Sequence, residues 1–172
     1  MQTMNFSSFN TRELLAAYAA IMDTLRSRKV TRSANSPLAD YAEGLCARAL
    51  GLKLEPNSTT GYDATDTEHH KYEIKARRLT GKRSSRQLSA IRAIELQRFD
   101  LLAGILFASD FAVIRGALIP HAVVKAHGKH IVHVNAWRFM LVDEVWHMPG
   151  VVDITDRLKT AQEVDQLLEV VP

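Results

Sequence analysis

Residues 61–75 read GYDATDTEHHKYEIK, and this stretch decides how the rest of the chain is interpreted. It contains an aspartate, Asp63, followed by a short polar run and then Glu73-Ile74-Lys75. Side chains alternate between the two faces of a strand, so Glu73 and Lys75 are predicted on one face and Ile74 on the other.

A polar turn at residues 67–71 separates the two halves of this stretch. Short apolar–polar alternation on either side of such a turn is typical of a β-hairpin. We therefore predict a hairpin with arms at 61–66 and 71–78. The hairpin would bring Asp63 next to Glu73.

Two carboxylates on adjacent strands are hard oxygen ligands of the kind that Mg²⁺ accepts. A lysine close to them could orient a water molecule or remove its proton. Asp63, Glu73 and Lys75 therefore predict a site for phosphodiester hydrolysis. Two alternatives remain open. Asp66 could replace Asp63 as a ligand, although it should point to the opposite face, and the acidic and basic residues could form only a solvated cross-strand ion pair.

The Asp…Glu-x-Lys arrangement resembles the PD-(D/E)xK nuclease superfamily, the fold of many restriction endonucleases. The surrounding order supports the resemblance: a helical segment, PLADYAEGLCARALGL, precedes the hairpin and a basic segment follows it. The signatures DYAE, GYDA and KARR are similar to those of a small bacterial restriction-endonuclease-like family. The resemblance covers about residues 11–158, and Tyr62 stands where the superfamily name has proline before Asp63.

The resemblance implies an α/β fold with a restriction-endonuclease-like core, in which helices flank a mixed central β-sheet. It implies that Asp63, Glu73 and the carbonyl of Ile74 bind Mg²⁺, for which Mn²⁺ can substitute. Lys75 would position the attacking water and, with a lowered pKa, help to remove its proton. Glu43 would assist the metal through water, although helical periodicity places it beside the apolar stripe and leaves a solvated role open.

A basic segment follows the motif and has no acidic residue within it. Because the whole chain has a net charge of only +3, the residues outside this segment are slightly acidic in total. The segment is predicted to contact the phosphate backbone of DNA, with an ordinary solvated face as the alternative. Its members are Arg77, Arg78, Lys82, Arg83 and Arg86.

Length and composition predict one globular domain over residues 1–172, with a core at about 36–120 and a flexible start at 1–10. The apolar content is 47%, which excludes a disordered chain. Cys46 is the single cysteine, so an intramolecular disulfide is impossible and a reducing, cytoplasmic compartment is expected. No apolar stretch is long enough to suggest a membrane span, and MQTMNFSSFN does not have a signal-peptide pattern.

Periodicity gives a coarse layout of the remaining elements. In the helix predicted after the basic segment, four apolar residues are expected to face the core: Leu88, Ile91, Ile94 and Leu96. Helices are predicted at 11–28, at 37–50, at 86–98, from Pro120 to about His127 and within 151–168, and strands at 101–108, 111–118 and part of 131–141.

Together, the motif and the resemblance predict a metal-dependent DNA endonuclease. A two-fold homodimer is the simplest arrangement for cutting both strands of a duplex. One alternative is a non-catalytic DNA-binding or assembly subunit that keeps the nuclease fold. A second is an enzyme acting on a small phosphorylated molecule, although no glycine-rich phosphate loop is present. The histidines at 121, 127, 130 and 133 have no spacing that fits a closed zinc site.

Overall fold

The computed structural model describes residues 4–33, 35–56, 61–81 and 83–168, which contain four helices and eight strands. The helices are α1 (Thr11–Ser27), α2 (Pro37–Leu50), α3 (His121–His127) and α4 (Thr155–Leu168). The strands are β1 (Lys53–Leu54), β2 (Ala64–Thr65), β3 (Lys71–Arg78), β4 (Leu101–Phe107), β5 (Val113–Pro120), β6 (Lys129–Ile131), β7 (Ala136–Arg138) and β8 (Val152–Asp153).

Six strands form a central sheet in the order β1-β2-β3-β4-β5-β8. Strands β3 and β4 run parallel, and every other neighbouring pair is antiparallel. The remaining strands, β6 and β7, form a separate antiparallel pair. The prediction of an α/β fold with a mixed central sheet flanked by helices is therefore confirmed at this level.

Helices α2 and α4 cover one face of the sheet. The apolar stripe of α2 buries Ala42, Leu45 and Cys46 against β3 and β4. Pro37 occupies the first turn, where its missing N–H costs nothing, and Gly51 ends the helix in the left-handed conformation with φ of 71°. Ser36 is the N-cap by position, as predicted, but its side chain makes no capping hydrogen bond.

The opposite face is covered mainly by irregular chain, and here the predicted helix at 86–98 is wrong. Residues 86–98 belong to the crossover that connects the parallel strands β3 and β4. The only helical turn within them is a 3-10 turn at Ile94–Leu96. The backbone N–H groups of Leu88 and Ile91 instead donate to the carbonyls of Phe139 and Trp137, at 3.0 Å each. These cross-chain hydrogen bonds replace the helical ones, so tertiary pairing overrides the local periodicity.

The apolar positions of this crossover were predicted better than its backbone. Leu88, Ile91 and Ile94 are buried as expected, whereas Leu96 is 61% exposed. Gly104 on β4 allows Leu88 of the crossover and Leu141 to approach the sheet closely. A Cβ at this position would lie 3.1 Å from Leu141 Cδ2, a contact tighter than packed side chains usually make, so glycine lets Leu141 pack onto the strand.

The strands at 101–108 and 111–118 and the short helix from Pro120 are confirmed with small changes of boundary. Strand β5 begins at Val113 because Phe111 has a positive φ of 67° in the preceding turn. No sequence pattern predicts β1 or β8, which are two residues long and depend on their neighbours for pairing. None of the helices in the described ranges is both long and apolar enough to cross a bilayer.

Cys46 is expected to be unreactive in the folded protein. Its side chain lies on the buried face of α2, and desolvation raises the pKa of the thiol to about 12. Labelling with a chromogenic disulfide should therefore be negligible under native conditions and should reach one thiol per chain in denaturant. Rapid native labelling would mean that α2 does not pack as described.

Candidate functional site

The predicted hairpin is present and positions Asp63 beside β3. Ala64 pairs with Tyr72, and the N–H of Asp63 donates to the carbonyl of Tyr72 at 2.7 Å. The Oδ2 atom of Asp63 accepts a hydrogen bond of 2.7 Å from the N–H of Ile74. The side chain is therefore fixed against the Glu-x-Lys strand, although the first arm, β2, has only two residues.

Asp66 holds the turn of the hairpin. Its carboxylate accepts hydrogen bonds from the N–H groups of Glu68 and His70 at 2.9 Å, and Oδ2 contacts the His70 ring and the Tyr72 hydroxyl. Although some desolvation opposes ionisation, these hydrogen bonds lower the pKa of Asp66 to about 2. The Asp66 carboxylate therefore binds groups of the turn and makes no contact with the cluster of Asp63, Glu73 and Lys75 among its described hydrogen bonds.

The three predicted metal-ligand groups meet at one point, which the Lys75 ammonium occupies. Nζ of Lys75 lies 2.6 Å from Glu73 Oε1 and 3.5 Å from Asp63 Oδ2. It also donates to the carbonyl of Ile74 at 3.2 Å. Two carboxylates and one carbonyl therefore surround a single cation, at side chains that are between 13% and 24% exposed.

The charges in this cluster depend on one another. Burial raises the pKa of Glu73, and Asp63 adds to this, while the Lys75 ammonium partly offsets both. Burial opposes the charge of Lys75, but Glu73 and Asp63 outweigh it, so the pKa of Lys75 is raised. Without a bound ion, two carboxylates therefore stabilise the ammonium. The lowered pKa expected for Lys75 beside a bound metal stays a prediction.

Glu43 reaches the same region from α2. It lines a cavity of about 270 Å³ together with Asp63, Tyr62 and Arg32. Burial and the negative charge of Asp63 raise the pKa of Glu43, and an ion pair with Arg32 opposes the shift. The structure thus brings Glu43 near Asp63, but its carboxylate is held by Arg32, and its role toward a metal stays a prediction.

Two arginines near the site were missed by the sequence analysis. Arg32 pairs with Glu43 and donates to the carbonyl of Glu55 at 2.8 Å. The aliphatic part of Arg98 packs on Gly61, where φ is +101° and an added Cβ would lie 2.4 Å from Arg98 Cδ. Both arginines lie in segments without an interpretable pattern, a polar connector and the end of the crossover, so the sequence carried no signal for them.

The basic segment is divided between the faces of the sheet. Arg77 has the same strand parity as Lys75, and its Nε donates to the carbonyl of Ser85 at 3.1 Å. Arg78 points the other way and stacks on the Phe111 ring, with its guanidinium carbon 4.8 Å from the centroid.

The later basic residues also differ from one another. Arg86 pairs with Asp143 at 2.7 Å. Arg83 is exposed and has no ion-pair or hydrogen-bond partner among the described residues. Lys82 lies outside them. Of this segment, Arg77 therefore shares the strand face of Lys75, and Arg83 is an exposed cation in the loop that follows β3.

The His121 ring makes its contacts within the fold. Nε2 of His121 contacts the carbonyl of Ile94 at 2.7 Å, and its ring packs against Phe99. In the parts of the chain that the structure describes, no group of three or more His, Cys, Asp or Glu side chains could hold a metal ion. Such a group consists of side chains alone, whereas the oxygens around Lys75 are the carboxylates of Asp63 and Glu73 and the backbone carbonyl of Ile74.

The donor set is compatible with Mg²⁺. It consists of two carboxylates and one carbonyl, all hard oxygen ligands, and Mg²⁺ keeps several waters when it binds through few protein groups. These three oxygens already surround a positive charge, the ammonium of Lys75. No protein-family model matches the chain, and no curated protein matches it either.

Proposed function

We propose that this chain is a metal-dependent endonuclease that hydrolyses phosphodiester bonds in DNA, built on a restriction-endonuclease-like core. The observation that carries the proposal is the meeting of Asp63 Oδ2, Glu73 Oε1 and the Ile74 carbonyl around Lys75 Nζ. A solvated cross-strand ion pair would place the lysine against one carboxylate at an exposed position, whereas here two carboxylates and a backbone carbonyl converge on it. The hairpin and β3 hold them together at partly buried positions.

Asp63, Glu73 and the Ile74 carbonyl would hold Mg²⁺ or Mn²⁺. When bound, the ion supplies positive charge that stabilises the developing charge on the phosphate oxygens. The hydrogen bond from Ile74 N–H keeps Asp63 oriented toward β3. Glu73 is held by the strand that carries Lys75, so the carboxylates and the ammonium have fixed relative positions.

Lys75 would orient the attacking water and donate hydrogen bonds to it or to the phosphate. In the arrangement described here it is held between Glu73 and Asp63 as an ion-pair partner, so its first part in the proposal is to position groups. Glu43 and Arg32 line the neighbouring cavity as an ion pair. They would keep the Asp63 side of the site polar and partly screened from solvent.

DNA is favoured over a small phosphorylated substrate by the charges beside the motif. Arg77 follows Lys75 on the same side of β3, and Arg83 extends the positive surface from the loop that follows. Separate cations along a surface suit a repeating phosphate backbone. A small phosphate ester would be held better by a single loop of backbone N–H groups.

Incubation of the protein with supercoiled plasmid and Mg²⁺ or Mn²⁺ tests the proposal. We expect nicked and then linear DNA, and none with the Asp63→Asn variant under the same conditions. Salt-sensitive DNA binding without any cleavage would favour the alternative of a non-catalytic DNA-binding or assembly subunit. Hydrolysis of a small phosphodiester such as bis-(p-nitrophenyl) phosphate, without DNA binding, would favour a small-molecule enzyme.

Replacing Arg77 and Arg83 together with alanine should weaken DNA binding equally at all sequences. Each lost phosphate contact should flatten the dependence of log K on log salt by about one unit. Fluorescence anisotropy with a random-sequence duplex at several salt concentrations measures both effects. The control is Arg78→Ala, which removes one positive charge from the opposite face and should leave the slope unchanged. Equal slopes for all three proteins would mean that the segment is only a solvated surface.

A further inference from the structure

Helix α1 exposes most of its length to solvent. Of its 17 residues, only Met22 is buried, and only Ala17 and Leu25 are partly buried. The helix begins with a capping box formed by Asn10 and Glu13, so its N-terminal end is well defined. The α1 end that contacts the rest of the protein is therefore the C-terminal one.

The exposed part of α1 carries an apolar stripe. Leu14, Tyr18 and Ile21 follow helical spacing and continue the line of Leu25, which packs on the body of the protein. They are 43%, 54% and 48% exposed. No charged residue interrupts this stripe, because the charges of α1 lie at positions 12, 13, 23 and 26.

The segment before α1 also exposes apolar side chains. The rings of Phe6 and Phe9 pack edge to face, with centroids 5.5 Å apart, and both remain exposed. Met4 is 75% exposed and Leu15 is 64% exposed. We call the exposed side chains of Met4, Phe6, Phe9, Leu14, Leu15, Tyr18 and Ile21 the α1 surface.

The α1 surface is larger than a monomer usually leaves in water. Its seven side chains expose roughly 700 Å² of mainly apolar area, whereas the largest apolar patch of a typical monomer is about 300–600 Å². Helices in proteins owe most of their stability to packing of an apolar face, and an isolated helix of this length is marginal. A partner would supply packing that the described part of the chain does not give α1.

We propose that the α1 surface is the interface of a two-fold homodimer in which α1 of one copy packs antiparallel against α1 of the other. Roughly 700 Å² per copy is close to the ~800 Å² that each partner contributes to a stable interface. The stripe has no charge and so needs no complementary charges, and antiparallel packing aligns the helix dipoles favourably. Two copies of the same stripe therefore satisfy each other.

The first test measures the mass of the full chain by sedimentation velocity between about 1 and 100 µM. Wild type should be a dimer, and the double variant Tyr18→Glu, Ile21→Glu should be a monomer. The control is Ala16→Glu, which places one negative charge on the opposite side of α1 and should remain dimeric. A monomeric wild type at all concentrations, or a double variant that stays dimeric, overturns the proposal.

The second test does not depend on destabilising the helix. Tyr18→Cys lies near the middle of the stripe, so an antiparallel pair places the two introduced thiols close together. Under mild oxidation it should give a disulfide-linked dimer, whereas Ala16→Cys should not. The native Cys46 is buried and contributes little background. Equal cross-linking of both variants would show that α1 does not pair by this face. The outcome is independent of nuclease activity, because it is read from mass alone.

Discussion

Replacing Lys75 with arginine is expected to leave DNA binding nearly unchanged and to lower the cleavage rate by about 10²–10⁴. The compact ammonium contacts Glu73, Asp63 and the Ile74 carbonyl from one atom. A guanidinium keeps the charge but spreads its donors over a planar fork, so no single nitrogen can reach all three oxygens as the ammonium does. Single-turnover cleavage and anisotropy on the same duplex separate the two effects.

Two further variants sharpen the test of Lys75. Lys75→Ala should lose turnover while keeping metal affinity, because removing the ammonium leaves Asp63 and Glu73 free to bind a cation. Lys71→Arg is the matched control: it lies earlier on β3, and its ammonium is over the Tyr62 ring, 5.2 Å from the centroid. Cleavage by Lys75→Arg at the wild-type rate would show that Lys75 acts only as a positive charge.

Replacing Asp63 with asparagine is expected to abolish both cleavage and the stabilisation of the fold by Mg²⁺. For the wild type, a metal at 100 times its dissociation constant should raise the free energy of unfolding by about 2.7 kcal/mol. Asparagine keeps an oxygen that can accept the hydrogen bond from Ile74 N–H, so the hairpin should survive. Thermal melting with and without Mg²⁺ measures the loss directly.

Asp66→Asn is the control for the metal prediction. Asp66 is bound within the turn, so its variant should melt at a lower temperature and still respond to Mg²⁺. If Asp63→Asn kept the full response to Mg²⁺, the ion would bind elsewhere. The metal-ligand role of Asp63 and the proposed mechanism would then both be wrong. A response lost only in Asp66→Asn would transfer the ligand role to the turn.

Elements whose signals are local were predicted from the sequence. Pro37 and Gly51 mark the ends of α2. Proline restricts φ to a helical value at the first position, and glycine readily adopts the left-handed conformation that ends a helix. The alternation of β3 and the turn at Asp66 gave the hairpin, so Asp63, Glu73 and Lys75 were placed together correctly. Lys75 contacts both carboxylates as that placement requires.

The crossover at 86–98 could not be predicted in this way. Leu88, Ile91 and Ile94 recur every third residue, a spacing that fits a helix as well as a kinked extended chain. The choice between them depends on Phe139 and Trp137, far along the sequence, whose carbonyls accept the crossover's hydrogen bonds. A single-sequence pattern contains no information about such partners.

The sequence by itself determined the residues of the site and their strand parity, because a strand has a fixed two-residue period. Only the tertiary structure decided their electrostatic state. Burial opposes the charge of Lys75, but the carboxylates of Glu73 and Asp63 outweigh it and raise its pKa, and Arg32 reaches Glu43 from a connector without any pattern. It also decided that the apolar stripe of α1 remains exposed. Periodicity shows that a face is apolar, but whether that face is covered depends on how the rest of the chain packs.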